Sequence, residues 1–572
     1  MAQSSDVLVQ AERWLSIDPD AATRKELETL LSQARDGDTQ ATADLAERFS
    51  GTLQFGTAGL RAALGAGPMR MNRVVVRRAA AGLAAYVSGR STHEKWSGIT
   101  AVVGYDARYN SDIFAEETAA IFTAAGIRTL LMPTALPTPV LAWACRKFNA
   151  EVGVMVTASH NPPEDNGYKV YLGGQAVAEH GRGAQIVPPY DADIAEAIAH
   201  IVDEEIVLAE QGWEVLDQNI ASEYVETIAG IEPSEPSDLR IVYTAMHGVG
   251  GQTVLSVLND AGFSEVFPVQ EQFVPDPDFP TVSFPNPEEP GALDLAFALA
   301  QQKDADLIIA NDPDADRAAF AVYDPHQNAW RQLRGDEVGS LLGVAMVEKL
   351  AKTPEGTTNA TFANSIVSSR QLSAIAQSYG VRHYQTLTGF KWIARIEGLS
   401  YGYEEAIGYS VAPELVKDKD GISAALVVAR YAHRLKEQGS SLIEVLDRIA
   451  QEHGVYATDQ ISIRVEDLSR IGQMMSALRT TAPSALGDSP VNAHADLAEG
   501  YEGLPPTDGL LFLSEDNSRV IVRPSGTEPK LKCYVEVIVP VSEEDGALVV
   551  ARQQAQERLE RIAHTMKIAL GV

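Results

Sequence analysis

Ser159 is the residue of this chain whose neighbours point most directly to chemistry. It lies in residues 156–163, which read Val-Thr-Ala-Ser-His-Asn-Pro-Pro and follow an apolar stretch. The prolines indicate a loop and not a helix. His160 flanks the hydroxyl and Lys169 follows ten residues later, so Ser159 is a candidate covalent carrier of phosphate. Taken alone, a serine-rich turn is the simpler interpretation.

Three alternating aspartates form a second motif, directly after a predicted buried strand. Asp312, Asp314 and Asp316 stand in the run Asn-Asp-Pro-Asp-Ala-Asp-Arg, which ends at Arg317. Carboxylates spaced in this way can turn toward one cation, and six oxygen ligands at roughly 2.0 to 2.1 Å suit Mg²⁺. A calcium-binding EF-hand is excluded, because its sixth position would be Arg317 and its twelfth Tyr323. A solvated acidic turn is the alternative.

A phosphate-binding loop is predicted near the end of the chain. The segment that starts at Arg523 reads Arg-Pro-Ser-Gly-Thr-Glu-Pro. Arg523 can bind an oxyanion with two nitrogens, Ser525 and Thr527 offer hydroxyls, and Gly526 lets the backbone wrap around the ligand. An ordinary hairpin loop explains the glycine and the prolines but not the clustering of the guanidinium with two hydroxyls.

Two neighbouring glutamates form the last motif. Residues 402–406 read Gly-Tyr-Glu-Glu-Ala, without the spacing of a metal site. In an enzyme that acts on sugars, Glu404 would be the first candidate to bind vicinal hydroxyls, with Glu405 beside it. Ser159 does not stand in a Gly-x-Ser-x-Gly elbow, and the chain has no Walker A sequence and no kinase glycine-rich loop. The phosphate is therefore expected to come from the enzyme or the substrate.

Composition limits the setting in which these motifs act. A chain of 572 residues divides into about three or four domains. A net charge of -32 argues against nucleic acid or an anionic membrane as partner, and no apolar run is long enough to cross a membrane. The start lacks a signal peptide and the two cysteines, Cys145 and Cys533, lie far apart, so we expect a cytoplasmic protein.

Alternating strands and helices must position the motifs, which predicts covered, largely parallel sheets. The first alternation runs over residues 74–157, the second over 239–310 and the third over 336–438, with a polar stretch at 191–237. The remainder predicts an α+β domain, with strands at 510–513, 519–522 and 531–539 and a helix at 543–569. The expected domains are 1–210, 211–333, 334–454 and 455–572.

In their order along the chain, the four motifs resemble those of the phosphohexomutase superfamily, the α-D-phosphoglucomutases and phosphomannomutases. The resemblance extends over nearly the whole chain. It implies three similar mixed α/β domains and a C-terminal α+β domain around a central cleft, with one motif contributed by each domain.

The resemblance also implies roles for individual residues. Ser159 is expected to carry the phosphoryl group and to share the metal, with His160 beside it and Lys169 transferring a proton. Arg61, in a Gly-Leu-Arg run, resembles an early active-site arginine of the family, and Lys391, in a Thr-Gly-Phe-Lys run, resembles a substrate-loop lysine. Asp312, Asp314 and Asp316 match the Mg²⁺ ligands. The expected substrate-binding set is Arg317, Lys391, Glu404, Glu405, Arg523, Ser525, Gly526 and Thr527.

The implied activity is that of an isomerase in carbohydrate metabolism. It would interconvert sugar 1-phosphates and 6-phosphates of glucose or mannose through a phosphoserine and a glucose 1,6-bisphosphate type of intermediate. Ala406 stands where many members have a serine. The sequence of residues 404–409 resembles that of the subgroup with phosphopentomutases and some bacterial phosphoglucomutases. A phosphopentomutase is thus one alternative, and a sugar-phosphate phosphatase, which would let water accept the phosphoryl group, is another.

Overall fold

The computed structural model describes residues 2–56, 59–354, 356–465, 469–525 and 530–572, with side chains from residue 6 onward. The chain forms two compact units. The first contains residues 1–332 and 408–430, and the second contains residues 333–407 and 431–572. Within the described ranges, no helix combines the length and the apolar character that a membrane span requires.

The first unit begins with three helices that precede the first sheet. Asp20 and Asp38 cap the second and third of them, because the carboxylate of Asp20 accepts one main-chain N–H group of the first turn and that of Asp38 accepts two. The apolar side chains of this segment, such as Trp14 and Leu31, pack into the core of the first sheet. The helices are α1 (Ala2–Ile17), α2 (Ala21–Arg35) and α3 (Thr39–Arg48).

The first sheet has the strand order β1-β5-β4-β2-β3-β7, with β6 paired to β5. The strands β2, β3, β4 and β7 pair in parallel, whereas β1, β5 and β6 add antiparallel pairs at one side. Every residue of β4 is buried, as expected of a central strand covered on both faces. Its elements are β1 (Leu60–Ala63), α4 (Arg73–Glu94), β2 (Thr100–Tyr105), α5 (Ser111–Ala124), β3 (Arg128–Leu131), α6 (Thr138–Lys147), β4 (Val152–Val156), β5 (Asp165–Leu172), β6 (Ala184–Gln185), α7 (Tyr190–Ala199) and β7 (Glu214–Val215).

The second sheet has the order β12-β11-β10-β8-β9. Strand β11 pairs antiparallel with β10 on one side and with β12 on the other, and β8 pairs in parallel with both β9 and β10. Its elements are α8 (Asn219–Ala229), β8 (Ile241–Thr244), α9 (Gly250–Asp260), β9 (Val266–Pro268), α10 (Asp294–Lys303), β10 (Leu307–Asn311), β11 (Ala318–Asp324) and β12 (Ala329–Gln332).

The polar stretch at 191–237 is not only a connection, because it contains most of α7 and the whole of α8. On α8 the side chains of Ile220, Tyr224 and Ile228 recur every four residues and are buried. This is the spacing of an amphipathic helix with one apolar face, which the polar residues of the stretch conceal.

The second unit contains a parallel sheet and the C-terminal region. In the parallel sheet, β13 lies between β14 and β15. Its elements are α11 (Gly335–Leu350), β13 (Thr361–Ser365), α12 (Gln371–Ser378), β14 (Arg382–Thr386), α13 (Phe390–Ile393) and β15 (Leu399–Glu404). A short strand of the first unit follows, β16 (Gly408–Ser410), and helix α14 (Gly421–Glu437) leads back into the second.

The C-terminal sheet is antiparallel, in the order β17-β22-β21-β20-β19-β18. Helix α17 buries Ala555, Leu559 and Ile562 in the same core as the strand residues. The elements are α15 (Leu442–His453), β17 (Val455–Arg464), α16 (Ser469–Thr480), β18 (Ala485–Leu486), β19 (Ser489–Asp496), β20 (Leu510–Ser514), β21 (Arg519–Pro524), β22 (Lys530–Val539) and α17 (Ala547–Leu570). Three mixed α/β sheets followed by an α+β region confirm the predicted fold class, while the predicted domain limits stay a prediction.

Candidate active site

Ser159 lies in the loop between β4 and β5, with its backbone in the left-handed region at a φ of 53°. This conformation is uncommon for a residue other than glycine. The side chain is 2% exposed. Its hydroxyl donates a 2.7 Å hydrogen bond to Oδ2 of Asp312 and lies 3.2 Å from Nδ1 of His160. The structure therefore places the predicted carrier serine against the first predicted metal ligand.

A buried arginine, Arg108, binds the main chain of this serine loop. Nη2 of Arg108 donates to the main-chain carbonyls of Ser159 and Asn161 at 2.7 and 2.5 Å, and Nη1 donates to those of Pro162 and Asp165 at 2.8 and 3.1 Å. One planar guanidinium thus binds four carbonyls of a single loop, which fixes the course of the loop around the serine.

The aspartate loop joins β10 to β11 and is supported by two other segments. The main-chain N–H of Val249 donates to the carbonyl of Pro313 at 2.8 Å, and that of Thr138 donates to the carbonyl of Asp314 at 2.9 Å. Gly248 lies so close that a Cβ atom there would be 2.3 Å from Cα of Pro313. The three carboxylates are therefore presented by a loop that cannot shift freely.

Cations surround two of the three carboxylates. Nζ of Lys169 donates to Oδ2 of Asp314 at 2.7 Å and to Oδ2 of Asp316 at 2.8 Å. Lys419 approaches the same oxygen of Asp316 to 3.2 Å, and the hydroxyl of Thr138 donates to Oδ2 of Asp314 at 2.6 Å. Burial lowers the pKa of Lys169, but the two aspartates outweigh it and raise that pKa above the ordinary lysine value. Lys169 is accordingly a cation at neutral pH.

The pKa values of the aspartates shift in different directions, because only some of the carboxylates have a cation beside them. Burial, together with the charges of Asp314 and Asp316, raises the pKa of Asp312 well above its ordinary value. Burial would also raise the pKa of Asp316, but Lys169 and Lys419 lower it instead. The loop thus combines a carboxyl group that resists ionisation with carboxylates held in the charged form.

The three aspartates fit a small cation that prefers oxygen ligands. Each offers a ligand oxygen, and these oxygens lie within 4.8 Å of one another. Oδ1 of Asp314 and Oδ1 of Asp316 are buried, and within the described ranges no hydrogen-bond donor reaches either of them. Leaving buried carboxylate oxygens without a donor is costly. A metal ion bound here would remove that cost.

The remaining residues predicted for this centre also lie in the first unit. Nη1 of Arg61, on β1, donates to Oδ1 of Asn161 in the serine loop at 3.1 Å. The main-chain N–H of Arg317 donates to Oδ1 of Asp312 at 3.0 Å, and its Nε lies 3.8 Å from Oδ1 of Asp316. The structure therefore brings the predicted residues 61, 159, 160, 169, 312, 314, 316 and 317 to one place.

The predicted sugar-binding residues lie together in the second unit. Oε1 of Glu404, at the end of β15, accepts a 2.6 Å hydrogen bond from the main-chain N–H of Gly389. Gly389 directly precedes α13, the short helix that contains Lys391. The φ of Gly389 is 114°, a value that favours glycine. The two loops predicted to contact a sugar phosphate are thus joined by a direct bond.

The predicted phosphate loop is only partly described. Arg523 lies near the end of β21, and the hydroxyl of the buried Tyr534 on β22 bonds to its side chain. The main-chain N–H of Ser525 donates to the carbonyl of Lys530 at 2.8 Å. Gly526 and Thr527 lie outside the described residues.

Three residues at the serine and aspartate loops were not predicted from the sequence. Lys419 stands in a Lys-Asp-Lys-Asp run directly before α14, and this alternation of charges at the start of a predicted helix is a signal that could have been used. Arg108 follows the carboxyl end of β2, where ligand-binding residues of parallel sheets concentrate. For Thr138, at the start of α6, the sequence offers no signal.

Chemically, the first centre combines a nucleophilic hydroxyl, three carboxylates able to hold a cation, and several fixed positive charges. Such a set can accept, stabilise and release a transferring anionic group. The second set combines carboxylates, which accept hydrogen bonds from hydroxyl groups, with a lysine and an arginine that suit a phosphate.

Comparisons with known proteins agree with this chemistry. Four family models match the chain in order. They are described as phosphoglucomutase/phosphomannomutase alpha/beta/alpha domain I (residues 52–202), domain II (222–325) and domain III (334–453), and the C-terminal domain (463–551).

Individual relatives extend over most of the chain. A protein of Haemophilus influenzae named a probable phosphomannomutase is 47% identical over 82% of this chain and 93% of its own length. The phosphoribomutase of Saccharomyces cerevisiae is 35% identical over 96% of this chain and 95% of its own. The crystal structure of a phosphoglucomutase/phosphomannomutase family protein from Burkholderia thailandensis, 21% identical, has a TM-score of 0.65 over 90% of this chain and 97% of its own. The last likeness concerns the fold alone.

Proposed function

The chain belongs to the phosphoglucomutase/phosphomannomutase family, and from that premise we propose that it interconverts hexose 1-phosphates and 6-phosphates, of glucose or mannose, through a phosphorylated Ser159. Its activity is that of a phosphosugar mutase. The observation that supports Ser159 as the carrier is its buried hydroxyl, which is bonded to Asp312 at the edge of the aspartate cluster and is presented by a backbone in the left-handed region.

The proposed reaction moves one phosphoryl group out and one back. The bond between phosphorus and Oγ of Ser159 breaks while a bond forms to the free hydroxyl of the bound sugar monophosphate, which gives up its proton to a base. The resulting bisphosphorylated sugar reorients, and the bond between its other phosphorus and the sugar oxygen breaks while a bond forms to Oγ of Ser159. The serine hydroxyl gives up its proton in this step, and the sugar oxygen takes one up. Ser159 regains its phosphate and the isomeric monophosphate leaves.

The residues of the first unit have complementary tasks in this reaction. His160, 3.2 Å from the serine oxygen, and Lys169 are our candidates for proton transfer, with Lys169 acting as a donor because it is a cation. Arg61 and Arg317 offset negative charge on the transferring group.

The metal that we propose is Mg²⁺, held by Asp312, Asp314 and Asp316 together with the phosphorylated Ser159. When bound, Mg²⁺ would neutralise charge on the phosphoryl oxygens. The orphaned oxygens of Asp314 and Asp316 support this assignment, as does the general preference of Mg²⁺ for carboxylate ligands.

In the second unit, we propose that the sugar phosphate is bound by Lys391, Glu404, Glu405, Arg523, Ser525, Gly526 and Thr527. The carboxylates would accept hydrogen bonds from sugar hydroxyls, and the arginine with its loop would hold the phosphate that is not reacting. We keep 1–210, 211–333, 334–454 and 455–572 as the proposed domains, and a cytoplasmic location as a prediction.

The test of the proposal is an incubation with glucose 1-phosphate, Mg²⁺ and a trace of glucose 1,6-bisphosphate. We expect glucose 6-phosphate to accumulate, and we expect Ser159→Ala to abolish the conversion. Release of free phosphate without glucose 6-phosphate would show a phosphatase instead. Full turnover in Ser159→Ala would contradict the carrier role.

A pentose phosphate is the second candidate substrate. Ala406 lacks the hydroxyl that many members of the family offer at this position, and the similarity to a phosphoribomutase spans nearly the whole chain. Specificity constants for glucose, mannose and ribose 1-phosphates decide between them. If the specificity constant for ribose 1-phosphate exceeded those for both hexose 1-phosphates, the protein would be assigned as a phosphopentomutase instead.

A further inference from the structure

Two buried serines contact the second glutamate of the sugar-binding loop. Ser365 ends β13 and Ser368 lies in the turn that follows, and both are fully buried. The hydroxyl of Ser368 donates to Oε2 of Glu405 at 2.7 Å and accepts the main-chain N–H of the same residue at 3.1 Å. The hydroxyl of Ser365 donates to the same Oε2 at 3.1 Å and lies 2.8 Å from that of Ser368. One hydroxyl therefore fixes both the backbone and the carboxylate of Glu405.

Only one oxygen of the carboxylate is used in this way. In the described parts of the chain, no hydrogen bond reaches Oε1 of Glu405. The residue is half-buried, unlike the serines that hold it. Oε1 is thus oriented by bonds to Oε2 while it keeps its own capacity to accept from a hydroxyl group.

The backbone of the same loop is strained. Ile407 has a φ of 53°, which is a genuine outlier for a β-branched residue. On the neighbouring α11, a Cβ atom at Gly335 would lie 1.8 Å from the carbonyl oxygen of Glu405. Strained backbone persists where the surroundings over-determine it, and such positions concentrate at ligand sites. The hydroxyl pair is part of those surroundings.

The serine turn is itself held rigidly from its other side. The carbonyl of Ser368 accepts a 2.7 Å hydrogen bond from Nη2 of Arg519, and the hydroxyl of Ser369 donates to Oε1 of Glu536 at 2.8 Å. Arg519 lies on β21 and Glu536 on β22, the two strands that flank the phosphate loop. The turn therefore connects the sugar-binding glutamates to the strands that present Arg523.

We propose that Ser368, supported by Ser365, is a positioning residue for substrate binding: it locks Oε2 of Glu405 so that Oε1 faces a sugar hydroxyl. Because both serines are fully buried, they act through the glutamate and do not touch the sugar. This inference rests on the proposed function, in which the loop binds the sugar of a sugar phosphate.

The test measures binding without turnover, by calorimetry on the full-length Ser159→Ala protein with Mg²⁺ present. Because Ser368→Ala removes a hydrogen bond to a charged group, it should weaken the binding of glucose 1-phosphate by about tenfold. Inorganic phosphate has no sugar hydroxyls, so its dissociation constant should not change. Ser340→Ala is the matched control, since Ser340 is equally buried in the same unit but bonds to Gln371, and it should bind glucose 1-phosphate normally.

A double-mutant cycle distinguishes positioning from general damage. If Ser368 acts through Glu405, Ser368→Ala should have little further effect in a Glu405→Gln protein. Ser365→Ala removes only the longer of the two serine hydrogen bonds to Oε2 of Glu405, so it should weaken the binding of glucose 1-phosphate by about threefold. It replaces Ser368→Ala in the test if that variant does not fold. Additive losses in the cycle, or unchanged binding in both serine variants, would overturn the inference and leave the proposed function standing. A parent protein that binds none of glucose, mannose and ribose 1-phosphates would overturn both.

Discussion

Nη2 of Arg108 donates a hydrogen bond to the main-chain carbonyl of Ser159, the residue whose backbone is in the left-handed region. A non-glycine residue in this region costs on the order of 1 to 2 kcal/mol. The guanidinium offsets this cost through the four carbonyls that it binds at once. The orientation of the serine hydroxyl therefore depends on a residue that binds the main chain of the loop and not the hydroxyl itself.

Arg108→Lys tests this dependence because it keeps the charge and removes the planar fork. We expect a loss in kcat of about 100-fold, since a displacement near 1 Å at the reacting group is enough for that. The fraction of protein phosphorylated on Ser159, measured by intact mass after incubation with glucose 1,6-bisphosphate, should fall in parallel. Arg128→Lys, a change at an exposed arginine paired with Glu214, should alter neither value. A kcat for Arg108→Lys within threefold of the parent would refute the dependence.

Metal dependence should follow the orphaned aspartate oxygens. Asp316→Asn removes a carboxylate with a buried Oδ1, so we expect the Mg²⁺ concentration for half-maximal activity to rise by at least about 100-fold. Direct titration of the protein with Mg²⁺ should show the same loss, and a chelator should abolish activity in the parent. Asp324→Asn is the control, because Asp324 is buried on the same hairpin but pairs with Arg331. Equal Mg²⁺ requirements in the two variants would place the metal elsewhere.

Gly248 supports the aspartate loop through close backbone contact, so it should not tolerate a side chain. In Gly248→Ala the new Cβ would meet Cα of Pro313 at 2.3 Å and its carbonyl oxygen at 2.4 Å, and the loop must shift. We expect a fall in kcat of at least about tenfold and a lower melting temperature. Gly89→Ala, in helix α4 with open space at the new Cβ, should keep full activity and gain up to about 1 kcal/mol of stability. Normal kinetics in Gly248→Ala would contradict the proposed rigidity.

The sequence predicted the loops of the site better than the way in which they are held. Ser159 and the aspartates stand in short runs whose residue types suffice to suggest phosphate and metal chemistry. The support from Arg108, Thr138 and Lys419 comes from segments remote in sequence, and their bonds reach main-chain carbonyls or single oxygens. Such contacts depend on tertiary packing, for which a single sequence has no local pattern.

The same limit applies to the helix that lies in the polar stretch and to Glu405. The apolar face of α8 is diluted by glutamates, so the average polarity of its residues hides it. For Glu405, the sequence suggests a sugar contact but not that one of its oxygens is already bonded to Ser365 and Ser368. The turn that follows β13 anchors the carboxylate of Glu405, whereas the main-chain N–H of Gly389 anchors that of Glu404.

Asp336 should make the stability of the second unit depend on pH in an unusual direction. Burial raises the pKa of Asp336 from 3.8 to about 7, although Ser369 N–H and the Tyr403 hydroxyl donate to its Oδ1. At a pH between these two values, Asp336 has released its proton in the unfolded chain but retains it in the folded protein. The stability that Asp336 contributes is thus fully present below about pH 4 and is lost as the pH rises through 7.

Asp336→Asn should remove this loss, because the amide keeps an oxygen for both donors and cannot ionise. From pH 5 to pH 8, the unfolding free energy of the variant should rise relative to the parent by on the order of 2 kcal/mol, as measured by urea unfolding at each pH. Asp496→Asn provides the contrast. The hydrogen bonds from Arg479 lower the pKa of Asp496, so it is ionised in both states throughout this window, and its curve should stay parallel to that of the parent. A parallel curve for Asp336→Asn as well would mean that Asp336 is ionised in the folded protein at pH 5.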